Sequence, residues 1–457
     1  MRFRKSSFFK RTTIVCDHFK EILIDDYSEK ITQKPSDASL YQERGNAKRT
    51  LQDWAGAIAD YDIALRLKPQ SSQIYLDRGQ AKKGNGFLAE AISDYTEAIT
   101  LNAEWDQAYD YRGIARQEKG DIVEALSDFN KAIRLNPQDF MAYVYRALIK
   151  ESREETKEAL SDLEEAIKLN PQESNAYYHR GVIKLKKNDL DGSIADFNSA
   201  ILVDPQNLLA YMSRGKAKEQ KKEWEGAIQD YNFILRFDPE NSQNTDIYYR
   251  RGRIKKEKSD PLGALSDFTE AIHLNPQHFS AYLHRGILKS DQGDYDNAIN
   301  DFLEAIHLKP QEAEAYFYCG TARFKKKDFN GAIDNYSTAL RLNSQEFSYF
   351  LNRGLIYLNK KELTQASEDF TTAIELNAYC AEAYYYRGTI RSQQNDANGA
   401  ILDFSAINDQ SSAFPVFHYE YGNAYLKKGD KVKAKDEFQK FLDSLQNKLD
   451  PSIRKNI

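Results

Sequence analysis

The sequence predicts an all-α fold, a long α-solenoid of antiparallel helix pairs. Two observations carry this. Small and apolar residues recur at spacings of three and four, the mark of a helical stripe. The whole pattern then returns every 34 residues. A unit that short buries no core alone, so it stacks on copies of itself.

The stretch 279–310, FSAYLHRGILKSDQGDYDNAINDFLEAIHLKP, shows one period. Tyr282, Gly286 and Lys289 share one face of a first helix, and Ala298, Phe302 and Ala305 share one face of a second. The small residues Gly286 and Ala298 let the two axes approach, and Phe302 fills the space between. Gly293-Asp294 breaks the chain, with Asp294 suited to cap the second helix, and Pro310 stops that helix.

The first-helix glycine returns at Gly45, Gly79, Gly113, Gly181, Gly215, Gly252, Gly286, Gly320, Gly354, Gly388 and Gly422, with Ala147 in the gap. The bulky second-helix residue runs Tyr61, Tyr95, Phe129, Leu163, Phe197, Tyr231, Phe268, Phe302, Tyr336, Phe370, Phe404 and Phe438, each four residues after Ala or Ser. Every step is 34 residues except that from Gly215 to Gly252, which is 37. The period and the pattern Tyr…Gly…Ala…Phe/Tyr…Ala…Pro resemble the tetratricopeptide repeat (TPR) family over about residues 38–442. That resemblance implies a right-handed superhelical solenoid whose concave groove holds a partner peptide or helix.

Taken in order, residues 1–16 form a basic segment without the apolar run of a secretory leader, expected to be disordered. A basic organelle targeting peptide is the alternative reading. Residues 17–37 read as a capping helix or half repeat, because Tyr27 and Pro35 lie 34 residues before Tyr61 and Pro69. Repeats fill 38–442, about twelve of them, and ENSQNTD (Glu240 to Asp246) carries the three extra residues. The eleventh is the least regular, with Ile407 replacing the usual small residue and NDQSS (Asn408 to Ser412) cutting the helix end. Residues 443–457 end the terminal helix and form a tail.

Composition narrows the function. The net charge is −5 and the pI about 5.9, which speaks against nucleic acid as partner. Many of the 29 tyrosines occupy the fourth repeat position, which makes them packing residues. Three distant cysteines build no disulfide framework. No run is long enough to span a membrane, and the cytoplasm is the expected compartment. No cofactor or metal motif appears, and carboxylates that recur with the repeat make no unique catalytic constellation. The chain is therefore expected not to be an enzyme.

Charges repeat too. Arginine precedes the glycine at Arg44, Arg78, Arg112, Arg146, Arg180, Arg214, Arg251, Arg285, Arg353 and Arg387. An aspartate precedes the bulky residue at Asp60, Asp94, Asp128, Asp162, Asp196, Asp230, Asp267, Asp301, Asp369 and Asp403. The ninth repeat loses both, having Cys319 and Asn335. Joint loss points to a structural ion pair within each repeat. Cations four residues after the arginine, Lys48 to Arg391, read as solvation and helix-end charges.

Positions two, five, nine and twelve of the first helix form a second stripe, which in the family the chain resembles lines the concave groove. Position five becomes apolar or aromatic from the fifth repeat on. The expected partner-binding groove comprises Tyr178, Met212, Tyr249, Leu283, Ile287, Phe317, Phe324, Leu351, Leu355, Leu358 and Tyr385. The expected function is a non-catalytic interaction scaffold that takes an extended peptide or a helix of a partner protein. Two alternatives are a helical-repeat RNA binder and a regulatory or assembly-factor subunit of a separately encoded enzyme. The sequence does not specify an oligomeric state.

Overall fold

The computed structural model describes residues 21–237, 239, 241–407, 414 and 416–448, and every regular element among them is helical. The chain forms two compact units, Met1–Ile234 and Leu235–Ile457. In the first, a helix over 21–33 (α1) precedes α2 (Ala38–Thr50), α3 (Trp54–Leu67), α4 (Ser72–Gly84), α5 (Leu88–Leu101), α6 (Asp106–Lys119), α7 (Ile122–Leu135), α8 (Phe140–Ser152), α9 (Thr156–Leu169), α10 (Ser174–Lys186), α11 (Leu190–Val203), α12 (Leu208–Gln220) and α13 (Trp224–Leu235). The second opens with a 3₁₀ turn (Ser242–Asn244) and continues through α14 (Thr245–Glu257), α15 (Pro261–Leu274), α16 (Phe279–Asp291), α17 (Tyr295–Leu308), α18 (Ala313–Lys325) and α19 (Phe329–Leu342). It ends with α20 (Phe347–Asn359), α21 (Leu363–Leu376), α22 (Ala381–Gln393), α23 (Ala397–Ser405), α24 (Phe417–Lys428) and α25 (Lys431–Lys448). Helices pack as hairpins, α2 on α3 and so on to α24 on α25. Within each unit, the first helix of a hairpin also packs on the second helix of the hairpin before it. The readings of 1–16, of NDQSS and of the tail after 448 fall outside the described residues, although α23 stops after nine residues where most of its counterparts, such as α21, run to 14.

Close approach of the two helices depends on the missing side chain of the first-helix glycine. A Cβ on Gly286 would lie 2.7 Å from Cε1 of Phe302, and one on Gly79 would lie 2.6 Å from Cε1 of Tyr95. No real Cβ contact is that short, so alanine there must push the ring away. The hairpin α8–α9 resolves this differently. It carries Ala147, and the residue at the ring position is Leu163, smaller than Phe or Tyr, with both fully buried in one cluster.

Each hairpin turns through one residue with positive φ, at Gln52, Gly86, Gly120, Glu154, Asn188, Lys222, Ser259, Gly293, Lys327, Lys361, Asn395 and Gly429. The next backbone N–H returns to the carbonyl five residues earlier, as from Asp294 to Lys289 at 2.9 Å, which satisfies the orphan carbonyls of a helix end. Capping of the second helix follows at once. Asp294 accepts from Asn297 N, and Asp328 from Gly331 N at 3.0 Å.

The repeated charges form a ladder inside the hairpins. All ten arginines bind the aspartate of their own hairpin, Nη2 to Oδ1 at 2.5 to 2.7 Å, with Nε on Oδ2, as in Arg285 to Asp301 at 2.9 Å. Nine of those aspartates bind the cation four residues further on as well, from Lys48 on Asp60 to Arg391 on Asp403, at 2.6 to 3.0 Å. Solvation and helix-end charge are therefore not the main role of these cations. A tyrosine three residues before the arginine, as Tyr282 before Arg285, lies under the guanidinium in nine hairpins, at 5.2 to 5.8 Å. The remaining Nη1 reaches back to the preceding hairpin: Arg78 to Asp62 at 2.6 Å, Arg146 to Asn130 at 2.8 Å, Arg353 to Ser337 at 3.0 Å. Arg44 does the same to Ser28 of α1 at 3.1 Å, so α1 stands where a second helix would.

Candidate functional site

The expected groove residues do not form one open surface. Leu283 is 2% exposed and Leu351 is 7% exposed, so both are interior residues and leave the docking stripe. The cause is the following hairpin. Leu283 packs in one cluster with Ala315 of α18, and Leu351 in one with Ala383 of α22. Other members of the set are half-buried and spend their rings on neighbours. Phe317 stacks on Tyr349 at 4.9 Å, Tyr385 on Phe414 at 4.5 Å, and Phe324 lies 5.9 Å from Phe329. Tyr249 packs beside His278 and His284, and Tyr178 lies 6.1 Å from Phe197. Ile287 lines the cluster of Leu283, and Leu355 and Leu358 that of Leu351. Met212 is half-buried on α12.

A broad groove lies in the first unit. It has a volume of 680 Å³ and is lined by Arg49 and Trp54, by Gln80, Lys83, Gly84 and Tyr95, by Tyr111, Ile114, Gln117 and Glu118, and by Met141 and Tyr145. Seven of these twelve residues come from positions six, nine and twelve of successive first helices. Tyr111 stacks on Tyr95 at 6.0 Å, and Tyr145 on Phe129 at 5.7 Å, so rings from three successive hairpins pave it. Gly84 admits the indole of Trp54, for a Cβ there would stand 2.8 Å from Cε3. Lys83 bridges to Glu118 of the next hairpin at 2.8 Å. Two buried polar atoms remain unpaired here, the phenol oxygen of Tyr95 and Nε of Arg49. Burial pushes the Tyr95 phenol far above the usual range.

A smaller notch of 300 Å³ adjoins it, sharing Tyr111, Ile114 and Met141, and adds Asp106, Gln107, Asp110, Asn136, Gln138, Asp139 and Phe140. No lysine or arginine lines it. Asp110 is 8% exposed and its Oδ1 has no hydrogen-bond partner. Burial first, then a hydrogen bond shared with the Asp139 carboxyl and the charges of Asp139 and Asp106, push its carboxyl up to about 10. Asp106 accepts from Asn136 Nδ2 at 2.7 Å, while Asp139 caps α8 through the N–H of Met141 and Ala142.

The sequence reading passed over both features. Asp110, at position five of the third repeat, is absent from the expected groove residues, and position six lies outside the predicted stripe. The aromatic and His residues at that position, Tyr111, Tyr145, His179, His284, Tyr318 and Tyr386, were the signal that could have found the groove. Among the described residues no group of three His, Cys, Asp or Glu side chains is placed to hold a metal ion. No described helix is long and apolar enough to cross a membrane.

Comparison with known proteins gives a consistent family. Models of the tetratricopeptide repeat match residues 43–112, 76–140, 111–174, 146–201 and 178–242, and another matches 347–380. A TPR repeat model matches 289–327 and 320–361. No curated protein matches the chain. Among solved structures, a tetratricopeptide repeat protein from Parabacteroides merdae is 17% identical, with 55% of this chain and 98% of that one covered and a TM-score of 0.42. MamA from Desulfovibrio magneticus RS-1 is 21% identical, covering 38% and 96%, at 0.36. Yeast Tom70 is 17% identical, covering 92% and 98%, at 0.34. With repeat models matched in both units and helical hairpins of that period throughout the described residues, the chain belongs to the tetratricopeptide repeat family.

Proposed function

We propose that the chain is a protein-interaction scaffold that takes an extended segment of another protein along its first-helix face, with the 680 Å³ groove of the first unit as the principal seat. The observation that carries this is the character of that groove. Its floor is aromatic, through Tyr111 and Tyr145, while its walls offer Gln80, Gln117, Arg49 and Lys83 and the unpaired atoms of Tyr95 and Arg49. Unpaired buried donors and acceptors cost free energy that an incoming backbone can recover. An extended chain brings such groups. A helix has already satisfied its own. The half-buried residues Tyr178, Met212, Tyr249, Ile287, Phe317, Phe324, Leu355, Leu358 and Tyr385 are assigned a subordinate role on the same face of later hairpins.

RNA fits the groove less well, because Glu118 neutralises Lys83 and the net charge is −5. The test is panning of random displayed 12-residue peptides against the full chain. Selected peptides should bind the wild type and lose at least tenfold in affinity for the Gln80→Trp, Gln117→Trp double variant, which fills the groove without removing packed side chains. Unchanged binding by a variant of native helicity and melting temperature would overturn the assignment.

A further inference from the structure

Of the twelve aspartates buried among the described residues, eleven have hydrogen-bond donors on their carboxylates. Ten bind arginine, as Asp301 binds Arg285, and Asp77 accepts from the amides of Gln42 and Gln73. Asp110 is the exception. Its Oδ1 is buried and unpaired, its carboxyl shares a proton with Asp139, and the charges that act on it are those of acids, Asp139, Asp106 and Asp128. A scaffold that pairs every other buried aspartate leaves this one facing a notch with an aromatic rim.

We infer that the notch between α6 and α8 receives one basic side chain of the docked segment, its cationic head placed against Asp110 and Asp106 and its apolar stem along Tyr111 and Met141. The inference rests on the docking of a polypeptide proposed above. Charge complementarity selects the occupant, since three carboxyl groups and no base line the notch. The 300 Å³ volume admits one long side chain and no folded element. Rings at Tyr111 and Phe140 favour a cation beside them. On binding, the Asp110 carboxyl releases its proton to water, and the occupant supplies the donor that Oδ1 lacks.

The chain has three methionines, Met1, Met141 and Met212, so methyl-¹³C-methionine labelling gives a direct reporter. Met141 lines the notch, and Met212 on α12 serves as an internal control. In the full chain, n-butylammonium and n-propylguanidinium should move the Met141 methyl resonance in a saturable way and leave Met212 in place. Neutral n-butanol should not. The isosteric variant Asp110→Asn should weaken the response at least tenfold, with its methyl spectrum otherwise native. No movement of Met141, or equal movement with butanol or in Asp110→Asn, would overturn the inference. Selected peptides that need the groove but show no preference for Lys or Arg would also overturn it, leaving the docking reading intact. Seating of butylammonium without any groove-dependent peptide would do the reverse.

Discussion

Asp369 is held by one cation, Arg353, at 2.7 and 2.9 Å, where nine aspartates at the same register position hold two. Tyr357 occupies the place of the second cation. Burial pushes the Asp369 carboxyl up, with Arg353 pulling against it. Removing a carboxylate from a paired cluster strands whatever cations it held.

Asp301→Asn should therefore cost about 3 kcal/mol, since it strands both Arg285 and Lys289. Asp369→Asn strands only Arg353 and should cost roughly 1 kcal/mol less. Urea unfolding of the two variants beside the wild type measures the difference. Equal losses would mean that the second cation contributes nothing.

The pair Gly286 and Phe302 predicts a rescue. Gly286→Ala forces a Cβ to 2.7 Å from the ring and should cost about 1–3 kcal/mol. Combining it with Phe302→Leu reproduces the Ala147 and Leu163 arrangement of α8 and α9. The double variant should be more stable than the sum of the single losses by at least about 0.5 kcal/mol. A double-mutant cycle from denaturant midpoints checks this, and strict additivity would refute it.

Asp110 predicts an inverted pH response. Its carboxyl rises from an ordinary 3.8 to about 10 in the fold. The native chain keeps a proton that the unfolded chain sheds, so this group's contribution is full below 3.8 and is lost as pH rises toward about 10. Asp110→Asn removes the dependence. The variant should gain stability over the wild type as pH rises through neutrality, by up to about 1.4 kcal/mol per pH unit. Urea titrations at pH 5, 7 and 9 read the trend, and parallel pH curves for the two proteins would contradict it.

Much of the fold was legible in the sequence because it depends on local residue sizes. Gly286, Ala298 and Phe302 specify one helix crossing, and their recurrence specifies the stack. The Arg285–Asp301 pairing could be read from its joint loss at Cys319 and Asn335. Lys289 was misread, because a lysine near a helix end has an obvious alternative role, and only coordinates place its ammonium 2.8 Å from Asp301. The docking stripe was legible only in part. Helical spacing of 100° per residue puts Leu283 and Leu351 off the packing face, but it does not say which flank the following hairpin covers. Ala315 and Ala383 settle that from about 32 residues away. The notch at Asp110 depends on Asp139 at a loop and on Asn136 opposite Asp106, a meeting across 30 residues that helical spacing does not specify.

The backward reach of these arginines bears on how such a chain can change length. Arg146 binds Asp162 in its own hairpin and Asn130 in the one before, and Arg78 and Arg353 repeat that geometry on Asp62 and Ser337. Excising a 34-residue block whose flanking hairpins carry Asp, Asn, Ser or Thr at that position hands the following arginine an equivalent acceptor from the hairpin that slides into place. Lineages of this protein can thus shorten or extend by whole modules wherever the new joint brings such an acceptor to the arginine.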